Sequence, residues 1–218
     1  NVKYIIRGND FRSEGKQPKE WTYSDSKQLN YIRRKYGKSQ RLKSYPQLSY
    51  KTMIYAALLK GIKDVRPFYY LEYSKQAAKK ELMEQYDWKD YGGHHHENIF
   101  TKFCMGYWLP RKFNIDKRVI NLSAQVLSGM INREDAISML EKPALESNEA
   151  DQLKLYILKK LDFDENDFDI IWDAPNKSIY DYPSSYSLIM YLSKLFSPII
   201  RYIYDFKPMA LSANEKNI

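Results

Sequence analysis

The chain has a single cysteine, Cys104, so it can form no internal disulfide. That removes the disulfide-stapled secreted class and fits a reducing compartment. Its eight glycines are scattered, at 8, 15, 37, 61, 92, 93, 106 and 129. They spell neither GxxxxGK before Ser or Thr, nor GxGxxG, nor SGGxDS. A phosphate-cradling loop needs closely spaced glycines to bring backbone amides to the anion, so no such loop is expected within these residues. No uncharged hydrophobic run reaches membrane-span length. The stretch from Tyr186 to Phe206 is long enough, but Lys194, Ser197, Pro198 and Arg201 interrupt it. Amphipathic helical turns packed on the body are expected there, with a peripheral membrane or partner-binding face as the other reading. No secretory signal and no internal repeat is visible. The expected compartment is cytoplasmic. The chain opens at Asn1 with no initiator Met, and a processed or truncated chain is expected.

An excess of acidic residues is also lacking. Lys and Arg number 35 against 27 Asp and Glu, for a net charge of +8. The excess favours an anionic partner without choosing among nucleotide, sugar phosphate, nucleic acid and membrane surface. The hydrophobic fraction of 44% over 218 residues supports a core, as one large domain or two small ones. Tyrosine is abundant, at 20 residues. Most of these rings suit positions with a packed face and a wet hydroxyl; some could stack on a ligand.

The periodicity predicts a strand from Val2 to Ile6 and a polar loop over 9–23. A helix from Ser24 or Asp25 to Tyr36 follows, stopped by Gly37. A basic connector spans Lys38 to Lys43, and a helix runs from Ser49 to Leu59. Val65 to Leu71 reads as a short strand broken by Pro67. Ser74 caps a helix over KQAAKKELMEQY. An aromatic helix over 96–109 is expected to end before Pro110. Further helices are expected over 117–128, 133–140, 150–161 and 164–173.

The densest chemistry lies between Tyr91 and Gly129. Three adjacent histidines, His94 to His96, suggest a metal. On a helix, however, neighbouring side chains diverge by about 100° and cannot converge on one ion. No metal site is expected. A solvated run and a role in binding or proton transfer both stay open. Asp116, Lys117 and Arg118 sit at a predicted helix start. Ordinary capping by Asp116 is one reading. The other is a phosphate or pyrophosphate clamp, with Arg111 and Lys112 adding to the field. Arg33, Arg34, Lys35, Lys38, Arg41 and Lys43, interleaved with Tyr31, Tyr36 and Tyr45, could meet nucleic acid. A solvated helix face is the plainer account, and no nucleic-acid partner is expected.

The segment YGGHHHENIFTKFCMGYWLPRKFNIDKRVINLSAQVLSG resembles the N-acetyl sugar amidotransferases of bacterial surface-polysaccharide and flagellin-glycan biosynthesis, enzymes of the PP-loop ATP-pyrophosphatase type. The similarity includes Tyr91 to Gly93, His95 to Glu97, Lys112, Asp116 to Arg118 and Leu127 to Gly129. Upstream, Arg7-Gly8-Asn9-Asp10 through Ser13-Glu14-Gly15, Pro18 and Trp21 are similar to the family's SGxNxxTEGxxPxxW. GIKDVRPFYYLEYSKQAAKKEL is similar to a second family stretch. The likeness spans residues 1–142 and, more loosely, 143–183. His94, Lys102, Cys104, Met105, Asn114, Asn121 and Arg7 depart from the family's usual residues.

The resemblance implies an α/β, mostly helical fold. It would be the trailing part of a PP-loop (adenine nucleotide alpha-hydrolase-like) domain over 1–142, with a helical extension over 143–218. It implies an ATP-dependent amidotransferase that uses Mg2+ and turns the acetamido group of an activated, nucleotide-linked sugar into an acetamidino group. A glutaminase subunit would supply the ammonia. His95, His96, Glu97, Lys117 and Arg118 would be catalytic. Asn9, Glu14, Arg66, Tyr91, Gly92, Gly93, Lys102, Lys112 and Asp116 would bind substrate or nucleotide. The family's Cys pairs and SGGxDS loop are not among these residues, so they are not expected to turn over alone. A non-enzymatic basic nucleic-acid-binding module and a scaffold for the glutaminase partner are the alternatives.

Overall fold

The computed structural model describes residues 2–37, 45–47, 49, 51–52, 55–71, 73–93 and 96–203. The expected basic connector, part of the helix expected over 49–59, and His94 and His95 lie outside them. The protein is mostly helical with few strands, and its chain divides into two compact units. The first comprises residues 1–9, 17–71 and 177–218; the second comprises 10–16 and 72–176.

In the first unit, β1 (Tyr4–Ile6) pairs in parallel with β2 (Lys63–Val65), with Ile5 opposite Asp64. The expected strand over 65–71 is thus displaced: pairing ends at Val65, and Pro67, which has no N–H to give a ladder, begins a 3-10 turn. Arg7 closes on Asp64 at 2.7 Å. The predicted helix after Asp25 forms over Ser26–Tyr36, which in chain order is α3; α1 (Phe11–Glu14) and α2 (Lys19–Thr22) precede it. Those two short helices stand where a loop is expected over 9–23. Four residues make barely one turn, too few to show an apolar period. Asp25 is 6% exposed. It accepts hydrogen bonds from Gln28 N at 2.7 Å, Ser185 N at 2.6 Å and the Tyr23 hydroxyl at 2.7 Å. It thereby caps α3 and ties it to the residue before α11 (Tyr186–Ile203). Burial alone would raise the Asp25 carboxyl, but these bonds outweigh it and hold it below the usual range. Tyr186 is buried and donates to Glu20 at 2.7 Å. Among the described residues no helix is long and apolar enough to cross a membrane.

The second unit holds α1, then α4 (Lys75–Tyr86), capped by Ser74 as expected. The aromatic helix does not end before Pro110. It runs as α5 (Ile99–Phe103), a π turn (Cys104–Trp108) and α6 (Leu109–Phe113). Leu109 N–H reaches back to the Cys104 carbonyl, so the register widens just ahead of Pro110. The proline then falls in the first turn of the next segment, where a missing N–H costs little. Gly106 in this turn lets Leu145 approach: a Cβ there would lie 2.9 Å from the Leu145 Cβ. α7 (Lys117–Leu127), α8 (Arg133–Glu141), α9 (Ser147–Leu161) and α10 (Glu165–Asp173) follow.

The core of this unit is aromatic. Phe103, Ile157, Leu158 and Phe168 are buried, with Tyr107, Trp108, Leu153 and Trp172 packed around them. Phe103 stacks on Tyr107 at 5.1 Å, and Trp108 meets Trp172 edge-on at 5.3 Å. Lys154 lies 4.4 Å over the Phe168 ring and pairs with Glu165 at 2.5 Å. A cavity of about 240 Å³, lined by Phe100, Phe103, Cys104, Trp108, Leu161 and Phe163 among others, opens beside this core.

Candidate functional site

The strongest concentration of chemistry lies in the second unit and starts at α1. Asp10 caps this turn: its Oδ1 accepts from Arg12 N at 3.2 Å and from Arg12 Nε at 3.4 Å. Asp10 is only 1% exposed, and its Oδ2 has no hydrogen-bond partner among the described residues. A buried acceptor left without a donor costs about 1–3 kcal/mol. Such a group calls for a donor from outside the chain, a water, an ion or a ligand. Gly15 ends α1 at φ +70, and a Cβ there would lie 2.7 Å from Ile120 Cγ2 and 2.8 Å from the Ile120 carbonyl oxygen. The turn therefore rests directly on α7, and that contact positions Glu14, the residue just before the glycine.

The cationic half comes from α4. Lys75 and Lys79 are four residues apart, so one helix face presents both. Lys79 pairs with Asp90 at 2.7 Å, and Asp90 also accepts from Gly92 N at 3.0 Å. The lysine bond and then the amide bond hold the Asp90 carboxyl below its ordinary range. Lys75 is half-buried. Burial drives its amine toward the neutral form and the nearby Lys79 adds to this, while Glu14, Asp90 and Glu97 act in the opposite sense. The net effect is a lowered pKa. The Tyr73 hydroxyl is pushed up, by burial first and then by the charges of Asp10 and Glu14. Asp10, Glu14, Tyr73, Lys75, Lys79, Asp90 and Glu97 thus form one interacting cluster.

The Gly-Gly turn shapes its edge. Gly92 has φ +92 with open space beside it, a conformation glycine adopts without strain. Gly93 serves differently: a Cβ would lie 2.3 Å from the His96 ring, so the missing side chain makes room for that imidazole. His96 N–H also turns back to the Gly93 carbonyl at 3.4 Å. Tyr91 meets Trp88 edge-on at 5.3 Å. No group of three His, Cys, Asp or Glu residues among the described ones is placed to hold a metal.

Of the residues singled out from sequence, Glu14 and Glu97 enter the cluster, with Tyr91, Gly92, Gly93 and His96 in the adjoining loop. His95 lies outside the described residues. Asp116 caps α7, and Arg118 is fully engaged. Its Nε and Nη2 bond the Asp116 carboxylate at 3.0 and 2.7 Å, and its Nη1 bonds the Met139 and Lys142 carbonyls at 3.3 and 2.8 Å. The guanidinium thereby holds the C-terminal end of α8 against the start of α7. Lys117 is half-buried, and burial lowers its pKa. Lys102 pairs with Glu149 of α9 at 2.5 Å. Lys112 donates to the Trp172 and Ala174 carbonyls, closing the end of α10. In the first unit, Arg66 bonds the Tyr69 hydroxyl at 3.3 Å, and Asn9 is exposed. Sequence reasoning missed Asp10, Tyr73, Lys75, Lys79 and Asp90 as site residues. Asp10 and both lysines stand inside the quoted stretches, but a lysine on a soluble helix carries no mark of burial.

Residues 97–195 match the family model described as LPS biosynthesis protein WbpG-like, C-terminal domain. No curated protein and no solved structure matches the chain. The matched span begins at Glu97 of the cluster and carries Lys102, Lys112 and Asp116 to Arg118. Over residues 97–195 the chain is thus similar to the C-terminal domain of WbpG-like LPS biosynthesis proteins, in keeping with the resemblance read from the sequence.

Proposed function

We propose that the protein belongs to an ATP-dependent amidotransferase of bacterial surface-glycan biosynthesis, acting in the cytoplasm. Its substrate is an activated, nucleotide-linked acetamido sugar, and a glutaminase partner supplies ammonia. The observation that carries this reading is that Glu14, half-buried, and Glu97, exposed, both lie near enough to the half-buried Lys75 to act on its charge. They come from stretches far apart in sequence, each lying in a segment that resembles the amidotransferases. The family match over 97–195 supports the biosynthetic setting.

The chemistry suits the groups present. An acetamido carbon becomes electrophilic once its oxygen is adenylated with release of pyrophosphate. Ammonia then forms the new C–N bond as AMP departs with the oxygen. Such a site needs acceptors for N–H groups and a base for the surplus proton. Asp10, Glu14 and Glu97 are acceptors, and burial lowers the pKa of the Lys75 amine near Glu14 and Glu97. The described residues do not fit a metal centre, and Mg2+ would accompany the phosphates of ATP. The exposed apolar residues Tyr4, Ile5 and Ile6 on a two-stranded parallel pair support the PP-loop reading, because parallel sheets are covered on both faces in α/β domains.

The test is pyrophosphate release by the whole protein with ATP, an ammonium salt in place of the glutaminase, and a panel of nucleotide-linked acetamido sugars. Release that requires both ATP and one sugar is expected. No release with any sugar, together with no ATP binding by calorimetry, rejects the reading.

A further inference from the structure

We propose that the outward face of α11 docks the protein on an anionic membrane surface, with the helix lying along the bilayer. The assignment is independent of the amidotransferase reading.

The helix has two faces. Tyr186, Ile189, Met190 and Ser193 turn inward, where they line a small pocket with Lys19 and Tyr23 of the same unit. Tyr186 is buried, and its hydroxyl bonds Glu20 at 2.7 Å. An ordinary amphipathic helix packed in this way has a polar face opposite. Here the opposite face is apolar too. Leu188, Tyr191, Leu192 and Leu195 follow the i, i+3, i+4, i+7 spacing of one helical stripe. They are 60%, 67%, 38% and 57% exposed. Large apolar side chains gathered in one exposed row mark an interaction site, which singly scattered ones do not.

Charge decides what covers the row. No Asp or Glu occurs between Tyr186 and Ile203, whereas Lys194 and Arg201 do. Lys194 is exposed and stands one turn beyond Tyr191. Two more exposed lysines flank the start of the helix. Lys27 donates to the Ser184 carbonyl at 3.4 Å, and Lys19 reaches the Met190 Sδ at 3.9 Å. The acids bonded at that end are already engaged, Asp25 with Ser185 N and Glu20 with the Tyr186 hydroxyl.

An anionic bilayer takes both features at once. The acyl boundary receives the leucines, the tyrosine sits at headgroup depth, and the lysines meet lipid phosphates. Interfacial binding grows with the apolar area buried and with attraction to anionic lipid, and α11 offers both. A second copy of this acid-free helix would instead set cation against cation. Among the described residues no helix is long and apolar enough to cross a membrane, so α11 would lie on the surface.

The whole protein is sedimented with vesicles of phosphatidylglycerol and phosphatidylethanolamine, and separately with vesicles of phosphatidylcholine alone. Binding to the anionic vesicles is expected, with weaker binding to phosphatidylcholine. Leu188→Ser combined with Leu195→Ser should lower the partition coefficient about 10-fold or more, because both side chains lose their apolar transfer. Lys194→Gln should lower it about fivefold on anionic vesicles and hardly at all on phosphatidylcholine. Leu127→Ser, which removes a leucine 81% exposed on α7, should change nothing. All these positions are exposed, so every variant should melt like the parent.

A second arm reads depth in the folded protein. Tyr191→Trp should add a tryptophan emission that lipids brominated on their acyl chains quench. No binding to anionic vesicles, equal binding by the stripe variant and the parent, an equal loss in Leu127→Ser, or no added quenching in Tyr191→Trp overturns the proposal. So does a parent dimer in analytical ultracentrifugation that the stripe variant makes monomeric while vesicles bind neither, since the row would then belong to a second copy. None of these outcomes bears on pyrophosphate release, which tests the amidotransferase reading by itself.

Discussion

Replacing Gly15 with alanine tests the contact that places Glu14. Two costs add at this position. The backbone sits at φ 70 and ψ −173, a region essentially confined to glycine, and a side chain there costs about 1–3 kcal/mol in strain. The new methyl would also stand 2.7 Å from Ile120 Cγ2, 2.8 Å from the Ile120 carbonyl and 3.3 Å from the Ala124 Cβ. One of these is backbone and cannot swing away, so α1 must lift from α7, at an overpacking cost of about 1–3 kcal/mol. The sum is about 2–6 kcal/mol, against a total stability of about 5–15 kcal/mol for an ordinary domain.

For a unit of roughly 100 residues each kcal/mol lowers Tm by about 4–8 °C, so a fall of about 10 °C or more is expected. Circular dichroism melts and urea titrations would measure it. Gly92→Ala is the control: its φ is +92 but no atom lies within 4 Å. It should show strain alone, about 1–2 kcal/mol. Equal losses in the two variants, or a Gly15→Ala protein as stable as the parent, would refute the close packing of α1 on α7. Lys75 should titrate lower in Gly15→Ala, because Glu14 moves away with the turn.

Arg118→Ala should lower stability by about 1.5–3 kcal/mol, since it strips charge-assisted bonds from Asp116 and from the carbonyls that end α8; thermal melts check this, and an unchanged Tm with a collapsed kcat would instead assign it to chemistry. Acid should unfold the first unit through Asp25: its carboxyl is held below the usual value, so its contribution is full above about pH 4 and is lost as pH falls through the lower folded value. The melt-versus-pH curve of Asp25→Asn should therefore be flatter below pH 4 than that of the parent. Burial raises the Cys104 thiol, so it should react with a chromogenic disulfide at neutral pH far more slowly than after unfolding in urea; equal rates would contradict its place beside the aromatic core. Gly93→Ala should cost little stability, because the His96 ring can rotate, but it should shift the imidazole signals in a histidine-resolved NMR spectrum.

Local signals carried much of the secondary structure. Asp25 before α3, Ser74 before α4 and Asp116 before α7 are capping residues whose side chains bond amides within three residues, and such short-range chemistry is written in adjacent letters. Gly37 and Gly129 marked two helix ends in the same way. The family, too, was legible, because Tyr91 to Gly129 is a long string of specific residue types. Non-local outcomes were not legible. The π turn before Pro110, the return of residues 177–203 to the first unit, and the seating of α1 on α7 depend on which surfaces meet after collapse. The site divides along the same line. Glu14 and Glu97 could be named from their motifs, but a lysine's protonation follows from burial and from charges brought near by the chain's path. Lys75 therefore reads in sequence as one more solvated cation of α4, and only tertiary packing, by half-burying it beside Lys79, lowers the pKa of its amine.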